Sequence, residues 1–196
     1  MGIFMDLSAR KAMARKTALE RRRAAHDLDR GAAAGLLSSV LAGYRGTPIA
    51  GYMPIRTEID PRAAMAEAAA HGPVAVPVII GARLPLRFSR WQPEGAMRAG
   101  PYGAQVPEVD DFLEPELVIV PLVAFSRAGA RLGYGGGFYD RTLAQLRARR
   151  PTLAIGFAYG AQEMADLPTE LTDQALDIIV TDTQVIEGRR GGASGG

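Results

Sequence analysis

The chain has 196 residues, about the length of one domain, and its 47% hydrophobic and 22% charged residues are typical of a globular protein. It has no cysteine, which excludes disulfides, thiolate metal sites and cysteine nucleophiles, and its two histidines lie in different segments, which disfavours a histidine metal cluster or a serine–histidine triad. The net charge of +2 gives little reason to expect a nucleic-acid partner, and no apolar run approaches the roughly 20 residues of a membrane span, so a cytoplasmic protein is expected.

Alternating helices and strands are predicted along most of the chain. In chain order they are a helix over 8–28, a helix over 32–44, a strand over 48–52, a helix over 60–71, strands over 74–80, 84–91 and 116–125, a helix over 138–149, and strands over 152–157 and 177–181. This alternation predicts an α/β fold, a three-layer single domain in which helices flank a mostly parallel sheet. The domain is expected to span residues 1–187, and the glycine-rich residues 188–196 are expected to form a flexible tail.

Capping residues and prolines refine these predictions. Asp6 or Ser8 is expected to cap the first helix, and Asp60 followed by Pro61 is a strong start signal for the third. Pro77 predicts an edge or irregular strand over 74–80, because proline cannot donate a hydrogen bond to a sheet. The run ELVIVPLVAF, residues 116–125, is the clearest buried strand.

The most informative segment is RLGYGGGFYDR, residues 131–141, where a buried strand is expected to lead through a glycine loop into a helix. Glycines allow backbone amides to approach a phosphate, and a helix start adds unpaired N–H groups. Arg131 can bind the same phosphates, and Asp140 in the first helical turn can hold a magnesium ion against them. A tight turn with Asp140 as a helix cap fits the glycines equally well. The segment matches neither the Walker pattern nor the dinucleotide fingerprint.

Taken whole, this segment resembles the signature of the 5-formyltetrahydrofolate cyclo-ligases, also called methenyltetrahydrofolate synthetases. Four further segments resemble the family in the same order. They are KAMARK, residues 11–16; GYMPIRTEID, residues 51–60; the connection that contains Trp91, Pro101, Tyr102, Gly103 and Pro107; and GFAYGAQEMADLPTELTDQALDIIVTD, residues 156–182. The resemblance implies ATP- and magnesium-dependent conversion of 5-formyltetrahydrofolate to 5,10-methenyltetrahydrofolate, with release of ADP and phosphate, by a monomer that binds neither nucleic acid nor membrane.

The resemblance also implies particular site residues. Residues implied to bind ATP are Lys11, Arg15, Arg131, Leu132, Gly133, Tyr134, Gly135, Gly136, Gly137, Phe138 and Tyr139. Residues implied to bind the folate are Met53, Glu58, Tyr134, Gly135, Gly136, Gly137 and Phe138. Asp140 and Asp173 are the implied magnesium ligands.

Each assignment has a structural alternative. Lys11 and Arg15, four residues apart on one helix face, can form a solvated basic surface, to which we also assign Arg21, Arg22 and Arg23. Met53 can be a core residue, Glu58 an exposed loop carboxylate and Asp173 a turn residue.

Two departures from the family pattern concern the site. Thr172 stands where many members have histidine, which weakens the assignment of Asp173 as a metal ligand, and Phe138 stands where tyrosine is commoner. A catalytically weak homologue that binds folate or nucleotide is therefore the alternative function. A nucleic-acid-binding module built on the basic first helix is a third hypothesis, disfavoured because that helix has no interleaved aromatic residues.

Overall fold

A computed structural model describes residues 6–188 of the chain. The α-helices of this region are α1 (Leu7–Leu28), α2 (Ala33–Leu41), α3 (Arg62–Ala69) and α4 (Phe138–Arg149). Its strands are β1 (Ile49–Ala50), β2 (Val74–Val78), β3 (Arg87–Arg90), β4 (Met97–Ala99), β5 (Gln105–Pro107), β6 (Phe112–Leu113), β7 (Leu117–Pro121), β8 (Ala124–Phe125), β9 (Arg131–Leu132), β10 (Leu153–Phe157), β11 (Ile178–Val180) and β12 (Val185–Glu187).

Eight of these strands form one sheet in the order β12-β11-β10-β7-β1-β2-β3-β6. The five central strands, from β11 to β2, are parallel, and antiparallel strands close both edges. Two smaller antiparallel pairs, β4 with β5 and β8 with β9, lie outside the sheet. The predicted α/β fold with a mostly parallel sheet is confirmed.

Side chains of the central strand β7 point alternately into two cores, as a strand buried on both faces requires. Leu117 and Ile119 pack in the core that α2 and α3 cover, and Val118 and Val120 pack in the core that α4 covers. Helices therefore lie on both faces of the sheet, in three layers.

Helix α1 packs elsewhere, against the β8–β9 hairpin. Its Ala14 and Ala18 form a third buried cluster with Ala124 and Leu132. The N-cap of α1 is Asp6, whose carboxylate accepts a hydrogen bond from the Ala9 amide at 2.7 Å. The sequence left Asp6 and Ser8 as alternatives, and the structure selects Asp6.

The structure corrects two strand predictions. Of the two alternatives for 74–80, an edge strand or an irregular one, the edge position is wrong, because β2 lies between β1 and β3. Its pairing with β1 ends at Ala75, so Pro77 lies beyond that ladder. The predicted strand over 116–125 is two strands, because the chain leaves the sheet after Pro121 and pairs Ala124 with Leu132 in the hairpin. The hairpin therefore separates the buried strand from the glycine loop.

The predicted tail, residues 188–196, lies outside the described residues except for Gly188. The Gly188 amide donates a hydrogen bond to the Asp177 carbonyl oxygen at 2.8 Å. No helix within residues 6–188 is both long enough and apolar enough to cross a membrane.

Candidate active site

The glycine loop, residues 133–137, joins β9 to the N-terminus of α4. Gly135 and Gly137 have φ values of +103° and +64°, which residues with a Cβ rarely adopt. Helix α1 supports the loop, because Arg15 Nε donates a hydrogen bond to the Gly133 carbonyl oxygen at 2.8 Å. Tyr134, Gly135 and Gly136 are exposed, so the loop presents its backbone to solvent beside a helix start. This is the geometry of an anion site.

Lys11 lies on the buried side of α1 and forms ion pairs with two carboxylates of a distant turn. Its Nζ is 3.0 Å from Asp173 Oδ2 and 3.2 Å from Glu170 Oε1. Burial lowers the pKa of Lys11, but the hydrogen bonds and charges of Asp173 and Glu170 raise it above its ordinary value overall. Lys11 is therefore a fully charged cation next to the loop of Asp173, and does not belong to a solvated surface.

A second ion pair joins β9 to the first turn of α4. Arg131 Nη2 donates to Asp140 Oδ1 at 2.6 Å, and the Gln174 amide donates to the same oxygen at 2.9 Å. Burial lowers the pKa of Arg131, against the opposing charge of Asp140. Arg131 Nε is buried without a hydrogen-bond acceptor among the described residues. Because Gln174 follows Asp173, this hydrogen bond brings the loop of Asp173, one predicted magnesium ligand, to the helix turn of Asp140, the other.

The chemistry of these two carboxylates suits a magnesium ion that arrives with a phosphate. Within residues 6–188, no group of three or more histidine, aspartate or glutamate side chains could hold a metal without other ligands. Magnesium is commonly bound by one or two carboxylates together with substrate phosphates and water. Asp140 uses only Oδ1 for its hydrogen bonds in the described part of the chain, which leaves Oδ2 for a ligand.

The predicted folate residues lie at the other side of the glycine loop. Glu58 is buried, and its Oε2 accepts a hydrogen bond from the Ile55 amide at 2.9 Å. Burial raises the pKa of Glu58, while the Ile55 amide and the charge of Arg22 partly oppose the rise. Met53 is half-buried against the core under α2 and α3. Glu58 is thus a buried acceptor rather than an exposed loop carboxylate.

The remaining predicted residues differ in what they can offer a ligand. The Leu132 side chain is buried against α1, so only its backbone can face a nucleotide. Phe138 and Tyr139 are partly buried against the core under α4. Burial raises the pKa of Tyr139 far above its ordinary value, so its hydroxyl stays protonated. The site assignments of the sequence remain predictions, which the structure groups around one loop.

The assignment of Arg22 to the solvated face is wrong. Arg22 is 1% exposed, and it binds Thr57 and Tyr134, whereas Arg21 and Arg23 are exposed. The signal was present in the spacing, because Ala14, Ala18 and Arg22 follow each other at intervals of four on one helix face. Composition alone predicts an exposed arginine.

Comparisons with known proteins show which family this chain resembles. The model of the 5-formyltetrahydrofolate cyclo-ligase family matches residues 7–182. The chain is 29% identical to the 5-formyltetrahydrofolate cyclo-ligase of Mycolicibacterium smegmatis over 183 residues, which is 87% of this chain and 93% of the relative. It is 39% identical to the Haemophilus influenzae enzyme of that name over 101 residues, which is 48% of this chain and about half, 54%, of the relative. The NMR structure of Aquifex aeolicus 5,10-methenyltetrahydrofolate synthetase superposes with a TM-score of 0.76 at 26% identity, covering 95% of this chain and 96% of that one.

Proposed function

Because the chain belongs to the 5-formyltetrahydrofolate cyclo-ligase family, we propose that it converts 5-formyltetrahydrofolate to 5,10-methenyltetrahydrofolate in a reaction that consumes ATP and requires magnesium. The products of the nucleotide are ADP and phosphate. The observation that supports this most is the contact network around the glycine loop. Lys11 is paired with Asp173, Arg131 with Asp140, and the backbone of the loop is open to solvent.

The nucleotide half of the proposed site consists of cations and backbone amides. The loop amides and the N-terminus of α4 bind phosphate oxygens. Lys11 and Arg131 neutralise the negative charge that develops during phosphoryl transfer, and Arg15 fixes the loop through Gly133. Lys11 and Arg131 are already buried, so little further desolvation of either cation accompanies binding of the triphosphate.

The carboxylates Asp140 and Asp173 would hold magnesium together with the phosphates. Magnesium would supply positive charge that offsets the charge of the phosphates. Asp140 Oδ2 makes no hydrogen bond in the described part of the chain and could take the ion directly, whereas Asp173 would exchange part of its contact with Lys11 for it. Lys11 would then be free to turn to the phosphates.

The folate half of the proposed site contains Glu58 and Tyr134. A carboxylate suits the pterin, because the ring N–H and the exocyclic amino group form a paired donor edge. The Ile55 amide holds the Glu58 carboxylate in place, and Met53 supplies an apolar wall. Folate and nucleotide would thus meet at the glycine loop, which carries Tyr134.

The proposed reaction has two steps. The formyl group is an amide, so its oxygen is a poor leaving group and its carbon a poor electrophile. Transfer of the γ-phosphoryl group of ATP to the formyl oxygen, with departure of ADP, activates both. The second folate nitrogen then attacks the formyl carbon, and the carbon–oxygen bond breaks with release of phosphate. Positioning and charge neutralisation account for this chemistry, and no general base is assigned.

A turnover assay tests the proposal. Purified protein is mixed with 5-formyltetrahydrofolate, ATP and magnesium, and the absorbance of the methenyl product is followed together with phosphate release. We expect one phosphate per methenyl product and no product when ATP or magnesium is omitted. Binding of both ligands without conversion would contradict the proposal and favour the alternative of an inactive binding homologue. Thr172, the residue that suggested this alternative, is exposed in a turn.

A further inference from the structure

Arg22 joins three segments of the protein at the folate side of the candidate site. It belongs to α1, its Nε donates to Thr57 Oγ1 at 3.1 Å, and its Nη2 donates to the Tyr134 hydroxyl oxygen at 2.7 Å. Thr57 lies in the segment after β1, next to Glu58, and Tyr134 lies in the glycine loop. A single guanidinium therefore fixes the two loops that carry the predicted folate residues.

This contact is not one that stability alone favours. Arg22 is 1% exposed, and its Nη1 is buried without a hydrogen-bond acceptor among the described residues. A buried donor without a partner is unfavourable, and an ion buried with incomplete hydrogen bonding usually stabilises less than an apolar side chain of similar size. Packing alone therefore does not explain why an arginine occupies this position.

Two guanidinium groups lie near the ring of Tyr134. The Cζ atoms of Arg22 and Arg56 are each 5.5 Å from the ring centroid, within the range of a cation–π interaction. Arg56 has a positive φ of 54°, so the backbone of its loop is itself constrained. The position of Tyr134 is thus determined from the α1 side and from the segment after β1.

Several charged or titratable groups face the buried carboxylate of Glu58. They are Arg22 from α1, Arg56 and Tyr52 from its own segment, Tyr134 from the glycine loop and Tyr139 from α4. Burial raises the pKa of Glu58, and Arg22 is the first of the two arginines that oppose this rise. Removal of Arg22 would raise that pKa further, because a neighbouring cation that favours the charged form is lost.

We propose that Arg22 is a positioning residue for folate binding, which holds Tyr134 and the segment of Thr57 and Glu58 in the arrangement that binds the pterin. This inference rests on the proposed function for the identity of the ligand. It assigns to Arg22 no contact with the reacting atoms. We expect its effect to be much larger on the folate than on the nucleotide, because Arg22 binds side chains of the folate half and no backbone group of the glycine loop.

Direct binding tests this, with 5-formyltetrahydrofolate and ATP titrated separately into Arg22→Met and a matched control, Arg23→Met. The control removes an exposed arginine of the same helix. We expect Arg22→Met to weaken folate binding about tenfold at neutral pH, the size of losing support for one charged hydrogen bond. ATP affinity should stay within about twofold in both variants, and Arg23→Met should bind folate normally.

The pH dependence separates a positioning role from a merely structural one. The folate affinity of Arg22→Met should approach that of the wild type as pH rises, because Glu58 then regains its charge. Arg22→Lys restores a charge but not both hydrogen bonds, and should recover part of the affinity. A loss that is independent of pH and equal for folate and ATP would overturn the inference.

Further measurements distinguish failure of this inference from failure of the proposed function. If Arg22→Met does not fold, Tyr134→Phe removes only a hydroxyl on a side chain that remains partly exposed, and should weaken folate binding in the same direction. Unchanged folate affinity in folded Arg22→Met or in Tyr134→Phe contradicts the inference alone. Wild-type protein that binds 5-formyltetrahydrofolate but does not convert it contradicts the proposed function alone.

Discussion

Lys11 Nζ lies 3.0 Å from Asp173 Oδ2, although 162 positions separate the two residues in the chain. This contact pairs a predicted phosphate ligand with a predicted magnesium ligand. Arg131 and Asp140 repeat the arrangement at 2.6 Å. The two kinds of group therefore neutralise one another. Binding of nucleotide and magnesium together would weaken these ion pairs, because the phosphates attract the two cations and magnesium attracts the two carboxylates.

Replacement of Lys11 tests the phosphate assignment. We expect Lys11→Met to lower kcat/KM by about 10²–10³, the loss typical of one preorganised charge contact in a transition state. The KM for ATP should rise while that for folate changes little. Initial rates over a range of both substrates measure this. Lys16→Met, an exposed lysine five positions later in the same helix, is the control and should behave like the wild type.

Replacement of Asp140 tests the metal assignment. Asp140→Asn keeps the size of the side chain and an oxygen that can accept from Arg131, but removes the negative charge that a magnesium ion needs. We expect a fall in kcat/KM of about 10²–10³ and a higher magnesium concentration for half-maximal rate. Rates are compared over a magnesium titration at saturating ATP. Asp110→Asn, which alters an exposed ion pair with Arg98, should leave that titration unchanged, and an identical curve for Asp140→Asn would remove the carboxylate from the metal site.

The buried carboxylate of Glu58 is predicted to lower the stability of the folded protein, although it serves ligand binding in the proposed site. Its pKa in the folded protein lies above the ordinary value of 4.5, because burial disfavours the charged form. The folded state therefore binds more protons than the unfolded state between these two values, and stability falls as pH rises through that interval. Glu58→Gln has no carboxyl group to titrate at this position, so its stability should not fall in this way. Its free energy of unfolding should therefore increase relative to the wild type as pH rises, and the difference should persist at neutral pH. Chemical unfolding at pH 4 and pH 7 measures the difference.

The same variant should bind folate less well. We expect Glu58→Gln to weaken folate binding about tenfold or more, the value of a hydrogen bond to a charged group, with ATP binding unchanged. Equal affinity of Glu58→Gln and wild type for 5-formyltetrahydrofolate would show that the carboxylate does not bind the pterin.

Two glycines of the same loop should differ in their tolerance of alanine. Gly135 has a φ of +103°, so Gly135→Ala is strained and should cost about 1–3 kcal/mol of stability and distort the loop. A Cβ at Gly133 would meet only Arg131 Nη1, at 3.7 Å, and Gly133 has no positive φ. Gly133→Ala should therefore fold with near wild-type stability. Thermal unfolding of both variants checks this, and equal melting temperatures would contradict the role of backbone strain.

Local signals in the sequence predicted much of the fold. Helix α4 spans residues 138–149 as expected, because glycines precede it and its apolar side chains recur at helical spacing. The cap at Asp6 and the buried residues of β7 were also readable, since capping and alternation of buried side chains depend on neighbours in the chain.

The sequence predicted some residues of the candidate site, but not which of them form ion pairs or hydrogen bonds with one another. The glycine loop and the residues that resemble the family's motifs were found from the sequence. The burial of Arg22 and Glu58, and the partners of Lys11 and Arg131, depend on segments far away in the chain. No local pattern reports which distant carboxylate meets a given cation.

The sequence by itself therefore determined the elements, the α/β class and the loop of glycines, because these follow from propensities and spacings within a few residues. Only the tertiary structure decided that β2 is interior despite Pro77, that the chain leaves the sheet after Pro121, and that Arg22 is buried. In each case the deciding interaction joins residues that are distant in sequence. Pro77 is accepted in the interior because it lies beyond the ladder with β1, and Arg22 is held there by Thr57 and Tyr134 although its Nη1 has no acceptor among the described residues.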